Sequence, residues 1–144
     1  MTALRYAYPA VLEAQPEGGF TVTFEGLPGA TQGETEGEAL REAEDLLVTA
    51  LSFCIDEGRP LPRPAHTEGR PVVVAGPLAA AKLALHEAML ERGVGNVELA
   101  GRLGLDEKAV RRLRDPLHRR RIGAVEAALR ALGRRLVVEV LEVA

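Results

Sequence analysis

Aromatic residues make up only 3% of the 144-residue sequence, and tryptophan is absent. The hydrophobic content is nevertheless 47%, so we expect a core built mainly from Leu, Val and Ala. Cysteine is also scarce: Cys54 is the single one, which excludes an intramolecular disulfide and a cysteine-based zinc site. Because Cys54 lies within an apolar helical pattern, a buried thiol is expected rather than a reactive one.

Residues that commonly carry catalysis are few and scattered. His66, His86 and His118 have neither a metal-ligand spacing nor a recognisable base–nucleophile arrangement, and the single serine, Ser52, falls within an apolar helical pattern. We therefore expect no catalytic residue, no metal and no cofactor. No apolar run approaches the roughly 20 residues that span a bilayer. No basic segment followed by an apolar stretch marks a signal peptide, so we expect a cytoplasmic protein without membrane contact.

The net charge of −3 conceals two halves of opposite sign. Residues 1–70 contain 5 arginines and 12 acidic residues, which gives −7. Residues 71–144 contain 13 basic and 9 acidic residues, which gives +4. Such a charge asymmetry indicates that the second half has a nucleic-acid partner.

The first half has the pattern of a small α+β domain, predicted over residues 1–75. Strands are expected at 4–14, 20–24, 30–34 and 72–74, with a hairpin turn at 15–19. The main helix is predicted to begin after Thr35, which starts a capping box with Glu38, and to end near Gly58. Gly76 and Pro77 indicate a hinge to the second half.

The second half, residues 76–144, is predicted to be helical. One helix is expected over 78–92, and Asn96 is expected to cap a second at 97–103. Gly104 would close that helix, and Asp106 would cap a third at 107–114. Apolar residues predict one face of a fourth helix: Ile122, Val125, Leu129 and Leu132. The tail at 136–141 is β-prone.

Residues 99–113 have the layout of a helix-turn-helix, whose second helix enters the DNA major groove. Leu99, Ala100, Leu103, Leu105, Val110 and Leu113 would hold the two helices together. Segment 108–121 carries seven basic residues against one acid, Asp115. Exposed side chains near the helix start can reach base edges, and those in the following loop can reach phosphates. The predicted DNA-binding residues are Asn96, Lys108, Arg111, Arg112, Arg114, Arg119, Arg120 and Arg121. The alternative is a solvated basic face on a helical bundle.

Three segments of the first half resemble the N-terminal domain of HicB antitoxins: residues 8–13, 17–33 and 35–40, with Leu-Pro-Gly-Ala at 27–30 within the most specific run. The second half resembles the helix-turn-helix that many members carry. The resemblance implies a partial RNase H-like fold for the first half and an antitoxin function. It implies two partners, a small RNA-cleaving HicA toxin and the operator DNA of the shared operon.

A homodimer or homotetramer is expected, because one short recognition helix reads too few base pairs. The tail at 135–142 would pair with its copy in another chain or pack within its own subunit. An RNase H-like fold also raises the possibility of nuclease activity, for which Glu13, Glu25 and Glu44 are the only plausible carboxylates. We expect no nuclease activity. The alternative function is a stand-alone helix-turn-helix regulator whose N-terminal domain senses a ligand or serves assembly.

Overall fold

The structure is a computed structural model that describes residues 6–64, 68–119 and 122–142. It is an α+β protein in which a four-stranded antiparallel sheet and a main helix precede four further helices. The strands are β1 (Ala7–Ala14), β2 (Phe20–Phe24), β3 (Thr31–Gly33) and β4 (Val72–Val74). The helices are α1 (Glu36–Asp56), α2 (Pro77–Arg92), α3 (Asn96–Leu103), α4 (Glu107–Arg114) and α5 (Ile122–Ala131).

The sheet has the order β3-β2-β1-β4, so all four predicted strands are confirmed. β1 and β2 form a hairpin in which Ala10 lies opposite Phe24 and Ala14 opposite Phe20. The connecting turn places Gly18 and Gly19 at φ values of 105° and 82°, a backbone region that side chains disfavour. One side of the sheet is buried against α1, and alternate strand residues supply its apolar side chains: Tyr8, Ala10, Val22, Phe24 and Val73.

Helix α1 begins where the capping pattern predicts. The Thr35 hydroxyl oxygen accepts a hydrogen bond from the Glu38 amide at 3.1 Å. The reciprocal bond of a capping box is displaced by one residue, because the Glu38 carboxylate accepts from the Glu34 amide. Gly58, at φ 65°, follows the helix in the left-handed conformation, and Arg59 N–H then bonds to Cys54 C=O at 2.8 Å. Cys54 is 3% exposed, so the predicted burial of its thiol is confirmed.

The remaining helices enclose a second hydrophobic core. Its fully buried members include Leu85, Met89, Leu99, Val110, Val125 and Leu129. Two details of the prediction are wrong. Helix α3 has Gly95 as its N-cap and starts at Asn96, so Asn96 is not the cap. Ile122 was expected on the apolar face of α5 and is 39% exposed.

Helix α2 belongs to both cores. Leu83 packs in the first core with the sheet and α1, whereas Leu85 and Met89 pack in the second. Gly76 is the N-cap of α2, and Pro77 occupies its first turn, where a missing N–H is harmless. The domain boundary between residues 75 and 76 stays a prediction. The two cores, however, are joined by α2, a continuous helix that starts directly after this predicted boundary.

The tail that follows α5 is mostly exposed. Residues 134–142 contain no assigned strand, and Leu136 near the start of the tail packs against the second core of its own subunit. Pairing of the tail with its copy in another chain stays a prediction. Val137 is 73% exposed and Val140 is 88% exposed. Across the described ranges of the chain, none of the helices combines the length and apolarity needed to cross a bilayer.

Candidate nucleic-acid interface

Helices α3 and α4 are joined by a three-residue turn whose geometry is fixed at both ends. Gly104 closes α3 in the left-handed conformation at φ 66°, and Leu105 N–H bonds to Ala100 C=O at 3.0 Å. Asp106 caps α4, because its Oδ1 accepts from Ala109 N–H at 2.7 Å. Both predictions for this turn, Gly104 as the closing residue and Asp106 as the cap, are confirmed.

The inner faces of the two helices pack as expected, with one exception. The buried side chains at their contact are Leu99, Ala100, Val110 and Leu113. Leu103 is partly buried against the same core. Leu105 was expected to join them and is 43% exposed, because the turn places it outside the packed face.

The outer face of α4 is basic. Lys108, Arg111 and Arg112 are exposed and occupy positions i, i+3 and i+4, which lie on one side of a helix. Arg111 forms an ion pair with Glu107 at 2.7 Å, with 68% and 44% of the two side chains exposed. An exposed pair of this kind contributes only about 0.3–0.5 kcal/mol, so Arg111 can exchange this partner for another anion at little cost.

The turn after α4 continues the basic surface only in part. Arg119 is exposed beside this turn, and Asp115 Oδ1 accepts from Leu117 N–H at 2.9 Å within it. Arg120 and Arg121, also predicted to bind DNA, lie outside the described residues. Four predicted residues, Lys108, Arg111, Arg112 and Arg119, are thus placed at the surface of α4 and the turn that follows it.

Arg114 and Asn96 are placed differently from the other predicted residues. Arg114 was expected on the exposed face of α4, but its side chain is half-buried and points toward α2 and α3. One guanidinium NH₂ donates to Asn96 Oδ1 at 2.6 Å, and the other lies 2.9 Å from His86 Nδ1. Burial lowers the pKa of Arg114, while the charge of Asp56 acts in the opposite direction. These two side chains bind each other rather than facing solvent.

His86 extends this contact toward the first core. It is 0% exposed, and its Nε2 lies 2.7 Å from the carbonyl oxygen of Arg59. Because a guanidinium only donates, Nδ1 must accept from Arg114, so the proton is on Nε2 and is donated to Arg59. Burial lowers the pKa of His86 below its usual 6.5, and the charge of Arg114 acts in the same direction, while the hydrogen bond to the Arg59 carbonyl and the charge of Glu87 oppose them. The imidazole is therefore neutral and makes one hydrogen bond on each side.

Lys82, also on α2 and also 0% exposed, holds the end of α4. Its Nζ donates to the carbonyl oxygens of Arg112 at 3.2 Å and Asp115 at 2.8 Å, and to that of His118. The Arg112 carbonyl would normally pair with the N–H four residues later, but that residue is Pro116, which has none. Lys82 thus supplies a donor that the sequence removes, and it fixes the start of the basic turn.

Sequence reasoning missed Lys82 and His86 as structural determinants of this surface. A signal was present, because both are polar residues within an otherwise apolar stretch of α2. The partners of these two side chains lie 27 to 36 positions away in the sequence, in other segments of the chain. No local spacing rule connects positions so far apart.

The acidic residues of the first half do not form an evident metal centre. Within the part of the chain that the structure describes, no group of three His, Cys, Asp or Glu side chains lies close enough to hold a metal ion. Glu25, one of the three carboxylates considered for catalysis, instead pairs with Arg70 at 2.8 Å. The other two, Glu13 and Glu44, are exposed.

Fold and surface together define a two-part α+β protein with an acidic first part and a basic helical second part. Residues 7–84 match the family described as the HicB_like antitoxin of bacterial toxin–antitoxin systems. Antitoxin HicB of Escherichia coli (strain K12) is 37% identical over 131 residues, covering 90% of this chain and 95% of the relative. Antitoxin HicB 2 of Photorhabdus laumondii is 38% identical over 130 residues, covering 90% and 92%. Antitoxin HicB of Pseudomonas fluorescens (strain Pf0-1) is 43% identical over 110 residues, covering 75% of each. The chain belongs to the HicB antitoxin family.

Proposed function

We propose that this protein neutralises a HicA-type toxin through its first part and represses its own operon through its second. In this proposal the first part is a partial RNase H-like domain over residues 1–75, and α3 and α4 form a DNA-binding helix-turn-helix within 76–144. Family membership supports the antitoxin role. The observation that carries the DNA-binding role is the row of exposed basic side chains on α4, a helix whose opposite face is buried and whose end is held by Lys82.

The proposed DNA-contacting residues divide into two groups. Lys108, Arg111 and Arg112 face a major groove, where arginine and lysine recognise guanine edges. Arg119, with Arg120 and Arg121, contacts phosphates and sets the position of the protein on the duplex. Asn96 and Arg114 act from inside, because the bonds between them fix the start of α3 against the end of α4.

The operator-bound form is proposed to be a homodimer or a homotetramer. A second copy would read the other half of a palindromic site. The exposed apolar tail supports such pairing, since Val137, Val138, Val140 and Leu141 are 65–88% exposed. A contiguous run of exposed apolar side chains is typical of a surface that contacts another chain.

The toxin-binding role is proposed for the acidic first part. Its exposed carboxylates suit a basic RNA-binding partner, since complementary charge speeds encounter and disfavours wrong partners. The exposed acids are Glu13, Glu17, Glu25, Glu34, Glu36, Glu42, Glu44, Asp45, Asp56, Glu57 and Glu68. We propose inhibition by occlusion, without catalysis by the antitoxin, in a cytoplasmic complex.

DNA binding is tested by fluorescence anisotropy with the upstream sequence of the protein's own operon. Arg111→Ala should weaken operator binding by about 1–3 kcal/mol if the side chain reads a base. Arg130→Ala is a matched control, because Arg130 forms the same kind of pair with Glu126 at 2.6 Å, with 74% and 45% of the side chains exposed, but on α5. Equal effects of the two substitutions would contradict a specific role for α4.

Toxin neutralisation is tested by adding the purified protein to the cognate toxin and measuring RNA cleavage. Cleavage should stop at about one antitoxin per toxin. The same assay without toxin, in the presence of Mg²⁺ or Mn²⁺, checks the proposed lack of catalysis. Continued cleavage by the toxin, with operator binding intact, would favour the stand-alone regulator.

A further inference from the structure

We propose that His86 and Arg114 are positioning residues that connect the end of α1 to the α3–α4 unit, so that the first part of the molecule sets the operator affinity of the second. This inference rests on the proposed operator binding. The connection is a buried polar bridge of three hydrogen bonds, from the Arg59 carbonyl through His86 and Arg114 to Asn96.

The first end of the bridge is rigidly attached to α1. Gly58 N–H bonds to Ile55 C=O at 3.1 Å, and Arg59 N–H bonds to Cys54 C=O at 2.8 Å. These are the two bonds by which a left-handed glycine closes a helix. The carbonyl that His86 contacts therefore belongs to a residue whose own amide is tied to the last turn of α1, and it moves with that helix.

The other end reaches both helices of the proposed DNA-binding unit. Arg114 is the last residue of α4, two positions after Arg112 and three after Arg111, and Asn96 is the first residue of α3. A change in the position of Arg114 therefore changes the orientation of the basic face on the same short helix. The Arg114 Nε is buried and has no hydrogen-bond acceptor among the described residues, so the guanidinium depends on the bridge for its bonds.

A second contact from the first part strengthens this region of α2. The Tyr6 hydroxyl, on the residue that precedes β1, donates to the carboxylate of Glu87, the neighbour of His86. Burial raises the pKa of the Tyr6 hydroxyl, and the hydrogen bond to Glu87 and the charge of Glu87 raise it further. The hydroxyl therefore keeps its proton and remains a donor. The sheet and α1 thus both hold the turn of α2 that carries the bridge.

The choice of polar residues points to positioning rather than to stability alone. An apolar pair could fill the same buried space, and polar groups taken out of water are often no more stabilising than apolar ones of similar volume. Hydrogen bonds add direction, and a recognition site depends on neighbours that hold its side chains within a fraction of an ångström. The bridge provides such directional constraints between α1, α2, α3 and α4.

The test compares three variants of the full chain at a temperature where circular dichroism shows each to be folded. His86→Leu removes both bonds of the imidazole. His86→Gln keeps one donor and one acceptor. Leu83→Ala is the control, because Leu83 is fully buried on the same helix, packs in the first core and takes no part in the bridge. Binding to operator DNA and to unrelated DNA is measured by anisotropy, and amide exchange of residues 104–114 by mass spectrometry.

His86→Leu should weaken operator binding about tenfold, within the range of typical coupling between sites, with binding to unrelated DNA unchanged. His86→Gln should recover most of the loss, and Leu83→Ala should bind operator as the unmodified protein does despite its lower stability. Exchange over 104–114 should accelerate in His86→Leu alone.

Three results would overturn the inference: unchanged operator affinity in His86→Leu, an equal loss in Leu83→Ala, or unchanged exchange over 104–114. If the unmodified protein does not bind operator DNA, the proposed function itself is wrong. In that case the exchange measurement alone decides whether the bridge positions α4. Acceleration in His86→Leu and not in Leu83→Ala supports it, and equal exchange rejects it.

Discussion

Replacing Lys82 by methionine tests the best-defined buried interaction of the second part. The two lysines of the chain form a natural pair for this purpose, because Lys82 is 0% exposed whereas Lys108 is exposed on α4. Methionine has a similar length and no donor. Lys82→Met therefore leaves the carbonyls of Arg112, Asp115 and His118 without this partner, and Pro116 offers no N–H in its place.

The size of the effect follows from opposing contributions. Hydrogen bonds to a charged group contribute about 1.5–3 kcal/mol each, which sets an upper bound of about 5–9 kcal/mol for three. Burial of the charge costs several kcal/mol, and this cost disappears with the substitution. The net loss of unfolding free energy should be about 2–4 kcal/mol. For a chain of this size, such a loss lowers the melting temperature by roughly 5–15 °C.

Urea and thermal unfolding followed by circular dichroism measure this loss. Lys108→Met should change the unfolding free energy by no more than about 0.5 kcal/mol, as is usual for exposed positions, while weakening operator binding. A Lys82→Met variant that unfolds at the same or a higher temperature than the unmodified protein would refute the assignment of Lys82 as the donor at the end of α4. A large destabilisation by Lys108→Met would show that methionine itself, rather than the lost bonds, is responsible.

Two further predictions concern His86 and α2. Since His86 has a lowered pKa in the folded state, the unfolded chain binds the extra proton first, so stability should fall as the pH drops below about 6.5, by at most about 1.4 kcal/mol per pH unit. Urea unfolding between pH 8 and 5 should show this decrease relative to His86→Gln, and parallel profiles would contradict it. Truncation after residue 92 should leave the first core intact, whereas truncation after residue 75 should destabilise it, because Leu83 completes that core and burying one leucine contributes about 1.5–3 kcal/mol. Equal circular dichroism and urea midpoints for the two fragments would show that α2 is dispensable to the first core.

Local signals in the sequence were enough to predict most of the elements. Thr35 and Asp106 are side chains that satisfy helix amides within three residues of themselves, and Gly104 ends α3 because it tolerates positive φ. Such interactions depend on neighbours in the chain, so a pattern of a few residues predicts them. The alternation at residues 20–24 likewise predicted β2, because one face of that strand meets α1.

The part of the candidate site that the sequence does not predict depends on contacts between distant segments of the chain. Arg114 follows Arg111 by three positions, so the local pattern predicts another exposed cation, but His86 and Asn96, 28 and 18 positions away, bind its side chain on the inner side of α4. The sequence around Lys82 predicts only an ordinary helix, because the partners of Lys82 lie 30 or more positions later. A basic residue at the end of a short helix has the same local pattern whether it faces solvent or a buried histidine.

The division of the chain into two parts is therefore less complete than its charge pattern indicates. The net charge changes from negative to positive near residue 70. Helix α2 nevertheless contributes Leu83 to the first core and Leu85 to the second. The family match, which extends from residue 7 to residue 84, ends inside this helix and not at the charge boundary. Since a helix cannot bend freely between adjacent turns, the continuous backbone of α2 holds the two cores in a fixed relation. His86 contacts Arg59 in the first part and Arg114 in the second, while Lys82 bonds to the end of α4. In our proposal α2 is therefore the element through which the acidic part and the basic part act on each other.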